Sequence, residues 1–158
     1  ITVLSVNEAL PAKRAGLAAA DVITNVWDRS VMFMDAESAA LLMTGAPQTP
    51  VKLTIEKEIR LSVSPLSWLK RTFLWLQFND FSFKLALKPA GLMVVYVGPQ
   101  GTAAKSGLQV MDEVTRINGE SIRYMPISLV RKKIFQSNLN EVALTIKRHV
   151  FLIRGGQR

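Results

Sequence analysis

The feature that most constrains this chain is a pattern that occurs twice. The stretch from Ala103 to Ile122 runs Ala103-Ala104-Lys105-Ser106, Gly107-Leu108, Asp112, Val114-Thr115-Arg116-Ile117, Asn118-Gly119 and Ser121-Ile122. The same order stands earlier in Ala12 to Ala15, Gly16-Leu17, Asp21 to Val26 and Ser30-Val31, without a gap. Val3 and Val6 match Val94 and Val97 at the same offset of 91 residues. A single repeat of this length means two copies of a small domain, because a solenoid needs more and shorter units.

Each part of the pattern has a physical task. Ala103 to Ser106 are small residues that fit one tight helical turn, and Gly107 stands where a short helix ends in a left-handed residue. Leu108 returns to the core. Asp112 is a short carboxylate that can bond nearby backbone N–H groups and hold a turn, as is Asp21 in the first copy. Val114 to Asn118 alternates as a strand does. Asn118-Gly119 is a strong hairpin signal, since both residues tolerate positive φ. The first copy has Trp27-Asp28-Arg29 in its place, so that turn must be built differently, with Asp28 as the residue suited to the left-handed region.

Other elements follow in order. Ile1 to Val6 reads as a strand. Asp35 is a good N-cap, and Ala36 to Thr44 reads as a helix stopped by Gly45 and Pro47. Val51 to Ile55 and Ile59 to Val63 both alternate, which predicts a hairpin. Ser64-Pro65-Leu66-Ser67 marks a linker, and the aromatic run that follows favours a strand from Thr72. Leu92 to Val97 reads as a strand, Ile127 to Gln136 as a helix with Pro126 near its first turn, and Asn140 to Lys147 as a closing strand. The domains are thus 1–63 and 72–154, with a linker at 64–71 and a loose tail at 155–158.

Composition narrows the function classes. Apolar residues make up 49% of 158, which suits folded domains. There is no cysteine and one histidine, His149. Thiol catalysis, thiolate metal sites and His-based triads lack their parts, and no phosphate-cradling glycine motif is present. No enzyme, cofactor or metal site is expected. The net charge of +8 is scattered in short clusters, so it reads as solvated surface rather than as a nucleic-acid site. Trp68 and Trp75 beside Lys70-Arg71 suit a membrane surface or an apolar contact between domains; the contact is preferred.

The short apolar strand, small-residue turn, Gly-Leu, Asp, strand and hairpin, present twice, resemble the PDZ family. The resemblance implies a mainly β fold with α: two antiparallel β-barrels or sandwiches, each capped by two helices. It implies a peptide-binding module that takes an extended, apolar C-terminal tail by β-augmentation. Phe81, Ser82 and Phe83 would then form the carboxylate-binding loop, with Ser82 where the family usually has Gly. Lys84 and Leu85 would begin the receiving strand, and Ile127, Val130, Arg131 and Ile134 would line the helix side. The first copy begins at what should be the third strand, so binding is expected at the second. Protein or peptide tails are the expected partners. A tandem adaptor is the first functional reading, with a cytoplasmic setting. The alternatives are the recognition part of a larger protease, which suits the periplasm, and a structural subunit with blocked grooves. The chain also reads as part of something longer.

Overall fold

A computed structural model describes residues 1–62, 82–135 and 141–154. The expected linker at 64–71, the strand from Thr72, Phe81 and the tail at 155–158 lie outside the described residues. The chain divides into two compact units. Both are antiparallel β structures with short helices, the expected fold class.

The first unit comprises Ile1–Lys57 and Lys147–Arg158. It contains α1 (Pro11–Arg14), β1 (Val22–Val26), β2 (Arg29–Ser30), α2 (Ala36–Met43) and the start of β3 (Pro50–Ser62). Asp35 caps α2 as its residue type predicts, accepting the Ser38 N–H at 2.8 Å. β1 pairs antiparallel with both β2 and β3. Leu17, Ile23, Val26, Val31, Val51, Leu53 and Ile55 form the core.

The second unit comprises Glu58–Ile146. It contains the rest of β3, then β4 (Phe83–Lys88), β5 (Gly91–Val97), α3 (Thr102–Lys105), β6 (Glu113–Ile117), β7 (Glu120–Ser121), α4 (Ile127–Phe135) and the start of β8 (Glu141–Ile153). Its strand order is β3-β8-β6-β5-β4, with β7 on β6. Phe83, Val94, Leu108, Val114, Ile117, Val130, Ile134 and Leu144 lie in one core.

The duplication extends to individual atoms. The Val3 N–H bonds the Asp21 carbonyl and the Val94 N–H bonds the Asp112 carbonyl, both at 2.8 Å. The Asp21 carboxylate accepts the Ala18 N–H at 2.9 Å, and Asp112 accepts the Gln109 N–H at 2.8 Å. Thr24 Oγ1 donates to the Thr54 carbonyl at 3.2 Å, and Thr115 Oγ1 to Thr145 at 3.1 Å. Both glycines at the ends of the short helices are left-handed, Gly16 at φ +88 and Gly107 at φ +85.

Three sequence expectations are corrected. First, Val51–Ile55 and Ile59–Val63 do not form a hairpin. Pro50 to Ser62 is one unbroken strand, because Glu56-Lys57-Glu58 offers no Gly, Pro or Asn to turn on. Likewise β8 does not stop at Lys147 but runs on to Ile153. Second, Ile1 to Val6 is not a full strand. It makes a single bridge, Thr2 to Val22, and has no counterpart of β4 beside it among the described residues. Third, the turn of the first copy puts Trp27, not Asp28, in the left-handed region, at φ +53. Trp27 occupies the position of Asn118, at φ +49. Backbone bonding explains the match: the Trp27 N–H donates to Lys52 and the Asn118 N–H to Ala143, each at 2.7 Å.

The two long strands therefore each have a part in either unit. Ile59 and Leu61, at the far end of β3, are buried in the core of the second. Val150 and Leu152, at the far end of β8, pack in the core of the first. There, Thr54 Oγ1 lies 3.0 Å from His149 Nδ1. Arg154 closes the end of α2, donating to the Met43 carbonyl and to Thr49 Oγ1, both at 2.7 Å. At about 1.5–3 kcal/mol for each large aliphatic buried, the two residues of β3 contribute roughly 3–6 kcal/mol to the second core.

Candidate functional site

The site residues named from sequence belong to the second unit, where β4 is the end strand among the described residues. The strand alternates as a half-buried strand must. Phe83 and Leu85 point into the core, while Lys84 is exposed. Val130 and Ile134 of α4 enter the same core, while Ile127 and Arg131 are exposed. So Phe83, Leu85, Val130 and Ile134 share one apolar cluster. Ile127, Arg131 and Lys84 are what this part of the unit offers to solvent. Phe81 lies outside the described residues.

Ser82 precedes β4 and adopts φ +52. An L-residue in that region carries a cost of about 1–2 kcal/mol. The neighbouring chain shows what holds it: the Gly98 N–H donates to the Ser82 carbonyl at 2.6 Å. A Cβ on Gly98 would lie 3.0 Å from the Ser82 Cβ, so any larger residue there requires Ser82 to give way. Gly98 was not singled out in the sequence. The Gly-Pro pair it forms with Pro99 was the available signal, but it reads equally as an ordinary turn.

The ladder between β4 and β5 has an irregularity that matters here. Lys84 pairs Tyr96, but Leu85 pairs Val94, which leaves Val95 as an extra residue. Such a bulge re-aims side chains. Lys84 and Tyr96 come to the same exposed face, with Nζ 5.6 Å from the ring centroid, a cation–π distance.

The first unit offers less. Ala39 is buried and Ala36 and Ala40 are small and exposed, and no strand equivalent to β4 occurs among its described residues. His149 is engaged with Thr54. Asp21 is buried, and its carboxylate is matched by Lys57 at 3.1 Å. Among the described residues no cluster of His, Cys, Asp or Glu has the makings of a metal site, and no helix is long and apolar enough to cross a membrane.

Comparison with known proteins gives partial likenesses. No family model matches the chain. A stretch of 58 residues, 37% of the chain, is 41% identical to "Probable CtpA-like serine protease" of Staphylococcus saprophyticus. It spans 11% of that protein's length. Among solved structures, the chain is similar to the PDZ domain from choanoflagellate SHANK1 bound to GIRK3 peptide. The likeness covers 60% of this chain and 93% of that one, at 25% identity and a TM-score of 0.47.

Proposed function

We propose that the chain is a tandem of two PDZ-like domains, and that the second is a module for binding extended peptides. The observation that carries this reading is the end strand β4. It leaves one edge without a strand partner among the described residues, directly after a left-handed residue at Ser82. An unpaired strand edge is a template for another strand. A peptide added there gains main-chain hydrogen bonds from β4 and apolar contact from Ile127. Arg131 and Lys84 favour an acidic ligand. The first unit acts in packing rather than recognition, because it has no such strand among the described residues.

The test is a screen of random C-terminal peptides, followed by titration of the best binder into isotope-labelled protein. The amides of residues 82–88 and of α4 shift, and those of β1 and α2 do not. Shifts confined to the first unit, or no binder at all, would overturn the reading.

A second reading rests on the sequence likeness to the Staphylococcus protease. Here the same edge presents substrate tails to a catalytic domain elsewhere in a longer protein. The hairpin expected at residues 51–63 is not formed, so this reading stands on the likeness alone. Cleavage of a tailed substrate by the longer protein, impaired by Ile127→Asp, supports it; unchanged cleavage rejects it.

A further inference from the structure

The two repeats differ on one surface. In the first unit β3 and β8 lie antiparallel: the Arg154 N–H donates to the Thr49 carbonyl at 2.9 Å, and Thr54 meets His149. This register sets Lys52 opposite Phe151 and Pro50 opposite Ile153. Val150 is buried on the core side, while Phe151 and Ile153 are 59% and 47% exposed on the other. Trp27, whose N–H bonds the Lys52 carbonyl, is 43% exposed. At the matching places of the second unit, 91 residues away, Arg60 replaces Phe151, Ser62 replaces Ile153, Glu141 replaces Pro50 and Asn118 replaces Trp27. There Arg60 pairs with Glu58 at 2.8 Å and with Glu141 at 3.5 Å. We infer that the second half of β8 is a self-association edge, through which two copies of this chain join their first units in one continuous sheet.

The argument starts from the edge. β6 is five residues long and bonds β8 at Ala143 and Thr145, in the first half of that strand. Residues 149–153 have β3 on one side and, among the described residues, no strand on the other. An open edge is a template for pairing, and natural sheets guard such edges with charge. The second unit is guarded in that way, with Glu58 and Arg60 in the positions of His149 and Phe151. From 149 to 153 the first unit carries only His149 and four apolar residues. Its occupant must be an extended strand with a free edge and an apolar outer face. The same stretch of a second copy is one. Antiparallel pairing about a two-fold axis at Phe151 sets Phe151 against Phe151 of the second copy, and His149 against Ile153 of the second copy. Residues opposite one another then share a face, main-chain hydrogen bonds form along both strands, and the Phe151 rings leave water together. Charge does not oppose this contact, although the chain carries +8. Lys52 is matched by Asp28 at 3.7 Å, and Arg154 is engaged with the Met43 carbonyl and Thr49. The inference is independent of the peptide edge at β4.

The experiment is sedimentation of the full chain over a range of concentrations. The wild type rises from 17.5 kDa to twice that mass. Phe151→Arg combined with Ile153→Ser supplies the residues that the second unit itself carries at these places. This variant keeps the circular dichroism of the wild type and stays at 17.5 kDa. A second test does not depend on that variant folding. The chain has no cysteine, so a single introduced thiol can form a disulfide only between copies. Phe151→Cys treated with diamide gives a covalent dimer on a non-reducing gel. Tyr124→Cys, an exposed position of the second unit, does not. A wild type that is monomeric at every concentration, a folded double variant that still dimerises, or equal cross-linking of the two cysteine variants overturns the inference. A monomer that instead sediments with anionic vesicles overturns it as well and assigns the face to a membrane.

Discussion

Gly98 and Ser82 are locked together: the N–H of one donates to the carbonyl of the other at 2.6 Å, and a methyl group on Gly98 would lie 3.0 Å from the Ser82 Cβ. The pair holds the entrance to β4 in a left-handed turn. Gly98→Ala forces the two segments apart and is expected to destabilise the second unit by about 1 kcal/mol. Ser82→Gly removes a left-handed strain of about 1–2 kcal/mol and adds chain entropy of roughly 0.5–1 kcal/mol to the unfolded state. The first term is the larger, so a small gain in stability is expected. Urea midpoints of the two variants measure both signs, and a loss on Ser82→Gly would refute the strain argument.

Gly107→Ala and Gly16→Ala test the duplicated turn. Both glycines are left-handed and neither has an atom within 4 Å of where a Cβ would sit. The cost is therefore backbone strain alone, about 1–2 kcal/mol for each. Equal losses in urea unfolding are expected. A loss several times larger for one would mean that packing, not φ, sets its price.

Trp27→Asn is expected to stabilise the first unit. Asn118 in the same place of the second copy accepts the Ala143 N–H through Oδ1 at 2.8 Å, and Asn tolerates positive φ where Trp does not. Trp27 is partly exposed, so the lost packing is modest. A net gain of about 0.5–1 kcal/mol follows from one hydrogen bond. A fall in melting temperature would show that the indole packing outweighs it.

The N-cap of α2 should be pH-sensitive. Bonds from the Ser38 backbone and side chain hold Asp35 below its usual value of 3.8. A carboxyl depressed by folding stabilises above its unfolded pKa, and that contribution is lost as pH falls below about 3.8 through the lower folded value. Asp35→Asn keeps a capping oxygen without the charge. Its melting temperature should fall less than that of the wild type between pH 5 and pH 2.5. Parallel curves would exclude the cap as the source.

The repeat and the helix-capping residues carried most of what was readable. Gly107, Asn118 and Asp35 have side chains or backbones suited to one local geometry, and each adopts it. The ends of β3 and β8 were not readable, because Glu56 to Lys57 and Lys147 to Arg148 look the same whether a strand stops or continues; tertiary burial of Ile59 and Val150 decides it. The left-handed Trp27 was hidden for a related reason: its propensity opposes the conformation that the hydrogen bond to Lys52 imposes. At the candidate site, Lys84 is named through the resemblance of residues 81–85 to the PDZ loop and strand, but its pairing with Tyr96 depends on a bulge that no residue type announces.

The split membership of β3 and β8 bears on how this gene can be divided. A piece ending at residue 63 carries the first repeat but lacks Val150 and Leu152. A piece starting at residue 72 carries the second but lacks Ile59 and Leu61. The second is deprived of roughly 3–6 kcal/mol of burial and the first of less, since Leu152 is only partly buried, against a total stability of about 5–15 kcal/mol for an ordinary domain. Neither half is self-sufficient on those terms, and a deletion that removed one repeat would leave the survivor unfinished.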